Sequence, residues 1–167
     1  MAHSVELVFD QGTEAAVRRV WAALAEAGLR SQAPTSRPHV TLTVAESIDA
    51  AVDASLAALV GRFPFPCRIG APLVFGRTTA VLARLVVPSA ELMDVQAEVY
   101  RRCLPHLHPG PMDNVLPGRW TPHVTMARRV DPDRVGPALR IVGQELVGSA
   151  IGLRRWNGDE KLEFPIS

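Results

Sequence analysis

One short motif occurs twice in this chain of 167 residues. Residues 38–42 read Pro-His-Val-Thr-Leu, and residues 122–126 read Pro-His-Val-Thr-Met. Matched chemistry at two positions of one chain indicates an internal repeat, and a proline fits the first position of a strand. The duplication therefore favours a fold built from two related halves, each with a strand that begins near its histidine.

Each copy of the motif has the composition of a β-strand. Because side chains alternate between the two faces of a strand, His39 and Thr41 point to one face and the aliphatic residues beside them to the other. The second copy places His123 and Thr125 in the same way. Two such strands that face each other would bring two imidazoles and two hydroxyls to one cleft.

The rest of the chain repeats a common order of elements around the motif. In each half the pattern predicts a helix before the His-Val-Thr strand, a helix after it and then a hairpin. The hairpin of the second half turns at 157–158. The sequence has no Gly-rich phosphate loop. We therefore predict an α+β fold, a duplicated two-lobed unit in which two antiparallel sheets face a central cleft, with helices outside and a pseudo-two-fold axis. We expect residues 1–167 to form one domain with approximate lobes 1–87 and 88–167, between which strands can be exchanged.

Several local features are predicted more narrowly. Thr13 is expected to cap the first long helix, and Ser47 to start the second. Pro137 is expected to break or restart the last helix. The proline- and glycine-rich segment 105–119 is expected to be a long functional loop, and Arg77 is expected to lie in a hairpin turn.

Composition excludes several classes of function. The formal net charge of +1 gives no broad positive field for long nucleic acid, so phosphate recognition must be local. Cys67 and Cys103 lie far apart, without metal-ligand spacing and without a signal peptide before them, which is typical of free thiols in a reducing compartment. No apolar run approaches the roughly 20 residues of a membrane span. We therefore expect a cytoplasmic protein that has no membrane partner.

A pair of histidines suits acid–base cleavage of a phosphodiester. Histidine titrates near neutral pH, so one imidazole can take a proton from the attacking water or hydroxyl while the other gives one to the departing oxygen. Thr41 and Thr125 would hold the non-bridging oxygens of the phosphate. His39 and His123 are thus the candidate catalytic residues, and this chemistry requires no metal or other cofactor. The sequence leaves open which histidine is the base.

Other side chains are candidates for contacts with the substrate. Arg129 and Thr43 share their strand parity with the motif histidines and are expected on the same faces. From there Arg129 could reach a phosphate or a base. Phe9 and Trp120 could stack on a base, a contact worth roughly 1–3 kcal/mol, although hydrophobic packing explains both residues as well.

The two His-apolar-Thr-apolar motifs, about 80 residues apart, resemble those of the two-histidine phosphoesterase superfamily. The Trp-x-Pro-His-Val-Thr segment at 120–125 and the closing hairpin also resemble the 2'-5' RNA ligase-like and 2',3'-cyclic nucleotide phosphodiesterase proteins, so the resemblance covers essentially the whole chain. It implies a metal-independent enzyme that opens 2',3'-cyclic phosphates to 2'-phosphates, or that makes and breaks 2'-5' linkages in RNA. The implied substrate is an RNA end, an oligonucleotide or a small cyclic nucleotide, and we expect a monomer.

Two other functions are compatible with these residues. A non-catalytic module could keep the same cleft and bind a nucleotide or an RNA end, although intact histidines and threonines in both motifs argue against it. A metallohydrolase could use the histidines of the middle and second half, including His106 and His108, but no carboxylate or cysteine lies at useful spacing. Hydrolysis and ligation use the same groups, so the sequence does not distinguish them.

Overall fold

The computed structural model describes residues 1–33, 36–76 and 78–167. Arg77, for which we predict a turn position, lies outside these residues. The described strands are β1 (His3–Phe9), β2 (His39–Ala45), β3 (Ser47–Ile48), β4 (Phe65–Phe75), β5 (Ala80–Val86), β6 (Leu107–His108), β7 (His123–Val130), β8 (Leu146–Asn157) and β9 (Leu162–Pro165). The described α-helices are α1 (Gln11–Glu26), α2 (Val52–Ala57), α3 (Ala90–Cys103) and α4 (Val135–Val142).

The long strands form an antiparallel sheet in the order β2-β1-β8-β4-β5-β7, and β9 pairs with β8 beside this path. The first residues of β8 pair with β4, and its later residues pair with β1 and β9. The two motif strands, β2 and β7, lie at opposite ends of the order and nevertheless contact each other, because the sheet curves back on itself. The predicted α+β class with antiparallel sheets is confirmed. The structure adds that β8 pairs with both β1 and β4, so the strands of the two lobes are hydrogen-bonded in one continuous sheet.

The helices are exchanged between the two halves of the chain. α1 precedes β2 in sequence, but it packs against β7, β8 and α4. α3 precedes β7 in sequence, but it packs against β2 and α2. The apolar residues of both motif strands point toward these helices and are buried, as strand alternation predicts: Val40, Leu42, Val124 and Met126. The opposite face of each motif strand is therefore left for the cleft.

Three local predictions are wrong at their boundaries. Asp10, rather than Thr13, caps α1, because its carboxylate accepts hydrogen bonds from the backbone N–H and the hydroxyl of Thr13 at 3.0 and 2.7 Å. Ser47 lies in the short strand β3, which pairs with β6, and α2 begins only at Val52. Pro137 does not break α4, because it is in the first turn, where its missing N–H has no partner to lose.

Two expectations from composition can be compared with the structure. Among the described helices, none combines the length and the apolar character needed to cross a bilayer. Cys67 and Cys103 are free and buried, which confirms the prediction of free thiols. Burial raises the pKa of the Cys67 thiol to about 11 and that of Cys103 to about 12. Neither thiol is therefore an effective nucleophile at neutral pH.

Candidate active site

The two motifs meet in one cavity of about 380 Å³, which we call the histidine cavity. It is lined by both motif histidines and both motif threonines: His39, Thr41, His123 and Thr125. All four side chains lie on the strand face opposite the buried aliphatic residues. The curvature of the sheet therefore assembles, from residues 84 positions apart in the chain, two imidazoles and two hydroxyls around one space.

Both histidines are oriented by the same contact. Nδ1 of His39 lies 2.8 Å from the carbonyl oxygen of Arg37, and Nδ1 of His123 lies 2.7 Å from that of Thr121. A carbonyl oxygen can only accept, so Nδ1 donates in each ring, and a neutral ring keeps its lone pair on Nε2. Nε2 is therefore the atom available for proton transfer in both imidazoles.

Each motif strand contains a β-bulge directly after its threonine. Leu42 in β2 and Met126 in β7 are the extra residues, since consecutive residues of the partner strands pair with the positions on either side of them. The bulge reverses the parity of the residues that follow. Thr43 and Ala127, which simple alternation places on the histidine face, are instead 0% exposed. The prediction that Thr43 shares a face with His39 is therefore wrong.

This bulge, together with a second register shift that sets residues 128 and 129 opposite Val81 alone, overturns the parity argument for Arg129. Arg128 lines the histidine cavity in its place. Arg129 is exposed and has a positive φ of 51°, in the left-handed region. The position equivalent to Arg128 in the first motif is Val44, so the second motif brings a cation where the first brings an aliphatic side chain.

The two aromatic candidates have different positions. Trp120 lines the histidine cavity, whereas Phe9 is 0% exposed in the core and is not available to a ligand. Phe75 also lines the cavity, with its ring centroid 4.9 Å from that of His123. The sequence pattern did not single out Phe75, because it is one of several apolar residues at the end of a predicted hairpin strand.

A tryptophan side chain donates a hydrogen bond to the threonine carbonyl of each motif strand. Nε1 of Trp120 donates to the carbonyl oxygen of Thr41 at 2.9 Å, and Nε1 of Trp21 donates to that of Thr125 at 3.0 Å. Each indole reaches the strand of the other motif, since Trp21 precedes the first motif and Trp120 precedes the second. The two indoles come from different kinds of segment, because Trp21 lies in α1 and Trp120 lies three residues before β7.

The carbonyls released by the bulges also have side-chain partners. Nε2 of Gln96 donates to the carbonyl oxygen of Leu42 at 3.2 Å, and Oγ of Ser31 donates to that of Met126 at 3.0 Å. A bulge locally disrupts the ladder of strand hydrogen bonds, and buried backbone groups need replacement partners. These contacts therefore hold the backbone next to both threonines.

The surroundings of the two imidazoles differ. Nε2 of His39 lies 3.5 Å from Oε1 of Glu6, a carboxylate that is 3% exposed. Arg154 pairs with Glu6 at 2.7 Å and also with Glu163, so its charge is balanced by two carboxylates. A protonated imidazole at position 39 therefore has a carboxylate to pair with.

His123 has apolar and cationic neighbours instead. Burial lowers the pKa of His123, because it disfavours the charged ring, and the charges of His39 and Arg128 lower it further. The hydrogen bond to the carbonyl of Thr121 opposes this shift in part. At neutral pH the His123 ring is therefore neutral, with Nε2 able to accept a proton.

Segment 105–119 forms one wall of the histidine cavity, to which it contributes Asn114, Val115 and Arg119. It contains β6 and short 3-10 turns, so it has more regular structure than the predicted loop. Nε2 of His108 contacts Asp49 at 2.9 Å. In the part of the chain that the structure describes, no group of three or more His, Cys, Asp or Glu side chains is arranged to hold a metal.

Known proteins resemble this chain in sequence and in fold. The family model described as the 2'-5' RNA ligase superfamily matches residues 11–160. No curated protein sequence matches. Among solved structures, TT0787 of Thermus thermophilus is 16% identical with a TM-score of 0.64, covering 100% of this chain and 96% of that one. Escherichia coli LigT in complex with 3'-AMP is 14% identical with a TM-score of 0.61, covering 100% and 97%.

Proposed function

This chain belongs to the 2'-5' RNA ligase superfamily of two-histidine phosphoesterases, and we propose that it is a metal-independent phosphodiesterase that acts on RNA or nucleotides. The proposed substrates are 2',3'-cyclic phosphates at RNA ends or on nucleotides, and 2'-5' linkages that are hydrolysed or formed. One observation carries the proposal: two imidazoles, each with Nδ1 bound to a carbonyl and Nε2 available, line one cavity.

In the proposed reaction His123 is the general base and His39 is the general acid. Burial and neighbouring charges lower the pKa of His123, which favours the neutral ring that a base needs. The Glu6 carboxylate lies 3.5 Å from Nε2 of His39, where it can pair with the ring while that ring carries the proton to be donated. His123 takes the proton of the attacking oxygen, and His39 protonates the oxygen that leaves phosphorus.

The remaining side chains of the histidine cavity suit a nucleotide. Thr41, Thr125 and Arg128 line the cavity, and in this proposal they bind the non-bridging phosphate oxygens and stabilise the charge that builds there. Phe75 and Trp120 offer aromatic surface to a base. A volume of about 380 Å³ is within the range of small-molecule sites. The 3'-AMP complex of LigT, a protein of similar fold, supports a ligand of this size.

The proposed enzyme acts as a monomer, because both motifs of the cavity come from one chain. We place it in the cytoplasm, for which the free, buried cysteines are the support. An RNA end rather than a long duplex fits the net charge of +1.

Hydrolysis of a panel of 2',3'-cyclic mononucleotides and 2'-5' dinucleotides in the presence of a chelator tests the proposal. We expect turnover by the wild-type protein and a loss of about 10²–10⁴-fold in His39→Ala and His123→Ala. His108→Ala, outside the histidine cavity, is the matched histidine control and should retain activity. Nucleotide binding without turnover would indicate a non-catalytic module, and activity that chelation removes and zinc restores would indicate a metallohydrolase.

A further inference from the structure

A second cavity, of about 1020 Å³, opens onto the histidine cavity, and we call it the Trp156 cavity. Three residues line both cavities: His39, Thr41 and Arg128. His123 lines the histidine cavity and is not among the described residues of the Trp156 cavity. His39 and the two phosphate-binding side chains next to it therefore stand at the junction of two spaces.

The floor of the Trp156 cavity is the cleft face of β1, β8 and β9. Five side chains of this face line it: Ser4, Glu6, Arg154, Trp156 and Glu163. Cross-strand pairing sets Ser4 beside Trp156, Glu6 beside Arg154, and Trp156 beside Glu163. These neighbours lie on one face of the sheet, so the floor is a continuous surface built on three strands.

The polar side chains of this floor are hydrogen-bonded to one another. Arg154 is 5% exposed and donates to Glu6 through Nε at 2.8 Å, and Oγ of Ser4 donates to the other Glu6 oxygen at 2.6 Å. The guanidinium carbon of Arg154 lies 5.8 Å from the ring centroid of Trp156. The indole is partly exposed, and the Arg154 guanidinium contacts its ring.

The Trp156 cavity is also positive on balance. Its described lining contains three carboxylates, Glu6, Glu14 and Glu163, and five basic side chains, Arg18, Arg37, Arg128, Arg154 and Lys161. A local excess of positive charge attracts a phosphate-bearing ligand, although the whole chain is nearly neutral. An aromatic platform with basic residues around it is the combination that binds a nucleoside next to a phosphate.

We infer that the substrate is a linear phosphodiester that joins two nucleosides, and that the Trp156 cavity binds the nucleoside that leaves. This inference rests on the proposed function. The reacting phosphate lies at the junction residues, one nucleoside occupies the histidine cavity, and the other lies on Trp156. A 2',3'-cyclic mononucleotide has a single nucleoside and fills only one of the two spaces.

The positions of the imidazoles fix the direction of the reaction. His123, on the side of the histidine cavity, takes the proton from an attacking water or neighbouring ribose hydroxyl as the new O–P bond forms. The P–O bond toward the Trp156 cavity breaks, and its electron pair stays on the departing oxygen, which takes the proton from Nε2 of His39. The products are a phosphate ester in the histidine cavity and a nucleoside with a free hydroxyl in the Trp156 cavity. Proton exchange with solvent restores both rings.

Two esters of one nucleoside monophosphate test the inference. The first is a dinucleoside monophosphate, tested in its 2'-5' and 3'-5' linked forms. The second is the methyl ester of the corresponding nucleoside 2'- or 3'-monophosphate, in which a methyl group replaces the second nucleoside. Both have a primary alkoxide leaving group and the same first nucleoside, so they differ in what can occupy the Trp156 cavity. We expect kcat/KM to be roughly tenfold higher for the dinucleoside, the effect of stacking one base on an aromatic ring.

Trp156→Ala should abolish this preference and bring the ratio of the two kcat/KM values close to one. Ile151→Ala is the matched control on the same strand, because Ile151 is 44% exposed and lies outside the lining described for either cavity. Thermal denaturation checks that each variant is folded, and the comparison of the two esters on the wild-type protein stands if Trp156→Ala does not fold.

The outcomes separate this inference from the proposed function. Equal kcat/KM values for the two esters, or cleavage of cyclic phosphates without cleavage of linear diesters, would overturn the inference and leave the phosphodiesterase proposal standing. A preference that persists at full size in a folded Trp156→Ala variant would also overturn it. No cleavage of any phosphodiester would overturn both proposals.

Discussion

The two motif strands share their framework and differ in their charged neighbours. Both hold Nδ1 of histidine on a carbonyl two residues earlier, both bulge after threonine, and both receive a tryptophan N–H on the threonine carbonyl. They differ in what lies opposite: β1 places Glu6 across from Thr41, and β5 places Ala83 across from Thr125. Five residues after each histidine, the chain has Val44 in one copy and Arg128 in the other. The two motif strands therefore share their backbone geometry and differ in the charges beside their imidazoles, and the proposed assignment of an acid and a base rests on that difference.

We expect the largest effect on activity from removal of either histidine. We expect His39→Ala and His123→Ala each to lower kcat/KM about 10²–10⁴-fold on an alkyl phosphodiester, because each loses one proton transfer. On a nitrophenyl phosphodiester, whose leaving group needs no proton, His39→Ala should recover most of its activity and His123→Ala should not. Equal losses on the nitrophenyl ester would show that the two imidazoles are not an acid and a base in this order.

Arg128→Gln removes the cation that follows the second motif, where the first motif has Val44. Loss of a charge-assisted contact to the phosphate, worth about 1.5–3 kcal/mol, should lower kcat/KM about 10–100-fold. Since Arg128 lowers the pKa of His123, its removal should also move the acid limb of the pH profile of kcat/KM to higher pH. In the wild-type protein this limb should lie below the ordinary histidine value of 6.5.

Arg129→Gln is the matched control for Arg128→Gln, one residue away on the exposed surface. It should change neither the rate nor the acid limb by a measurable amount. A loss in Arg129→Gln as large as that in Arg128→Gln would contradict the role that we assign to the bulge.

Substitution of the two tryptophans tests whether their hydrogen bonds to the threonine carbonyls contribute equally to stability. Trp21→Phe and Trp120→Phe each remove one N–H and leave a threonine carbonyl without that donor. We expect each to lower the free energy of unfolding by about 1–3 kcal/mol, measured by urea denaturation. A loss in one variant with none in the other would mean that the two contacts are not equivalent.

The smallest expected effect is the pH dependence of stability that comes from His123. Its pKa is lowered in the folded protein, so the unfolded chain binds more protons as the pH falls through about 6.5. Stability should therefore decrease with acidification in this range and level off below the folded-state pKa. The decrease in unfolding free energy between pH 7.5 and 5.5 should be smaller in His123→Gln than in the wild-type protein.

The sequence predicts the site up to the threonines, and the structure is needed beyond them. Alternation along a strand places His39, Thr41, His123 and Thr125 correctly, because each strand is regular up to that point. It fails for Arg129, because parity cannot show an extra residue, which depends on how two strands pair. For the same reason Glu6 has no signal in the sequence: its distance from His39 depends on the pairing of β1 with β2.

The exchange of α1 and α3 limits how this chain can reach its folded state. Neither the first half of the sequence nor the second contains both a motif strand and the helix that covers it. An isolated half would expose one face of its motif strand to water, so we expect neither half to be an independent folding unit. Contacts between distant parts of the sequence must form before either imidazole is held in place, and such long-range topology is associated with slow, cooperative folding. We therefore expect the cleft to assemble together with the core.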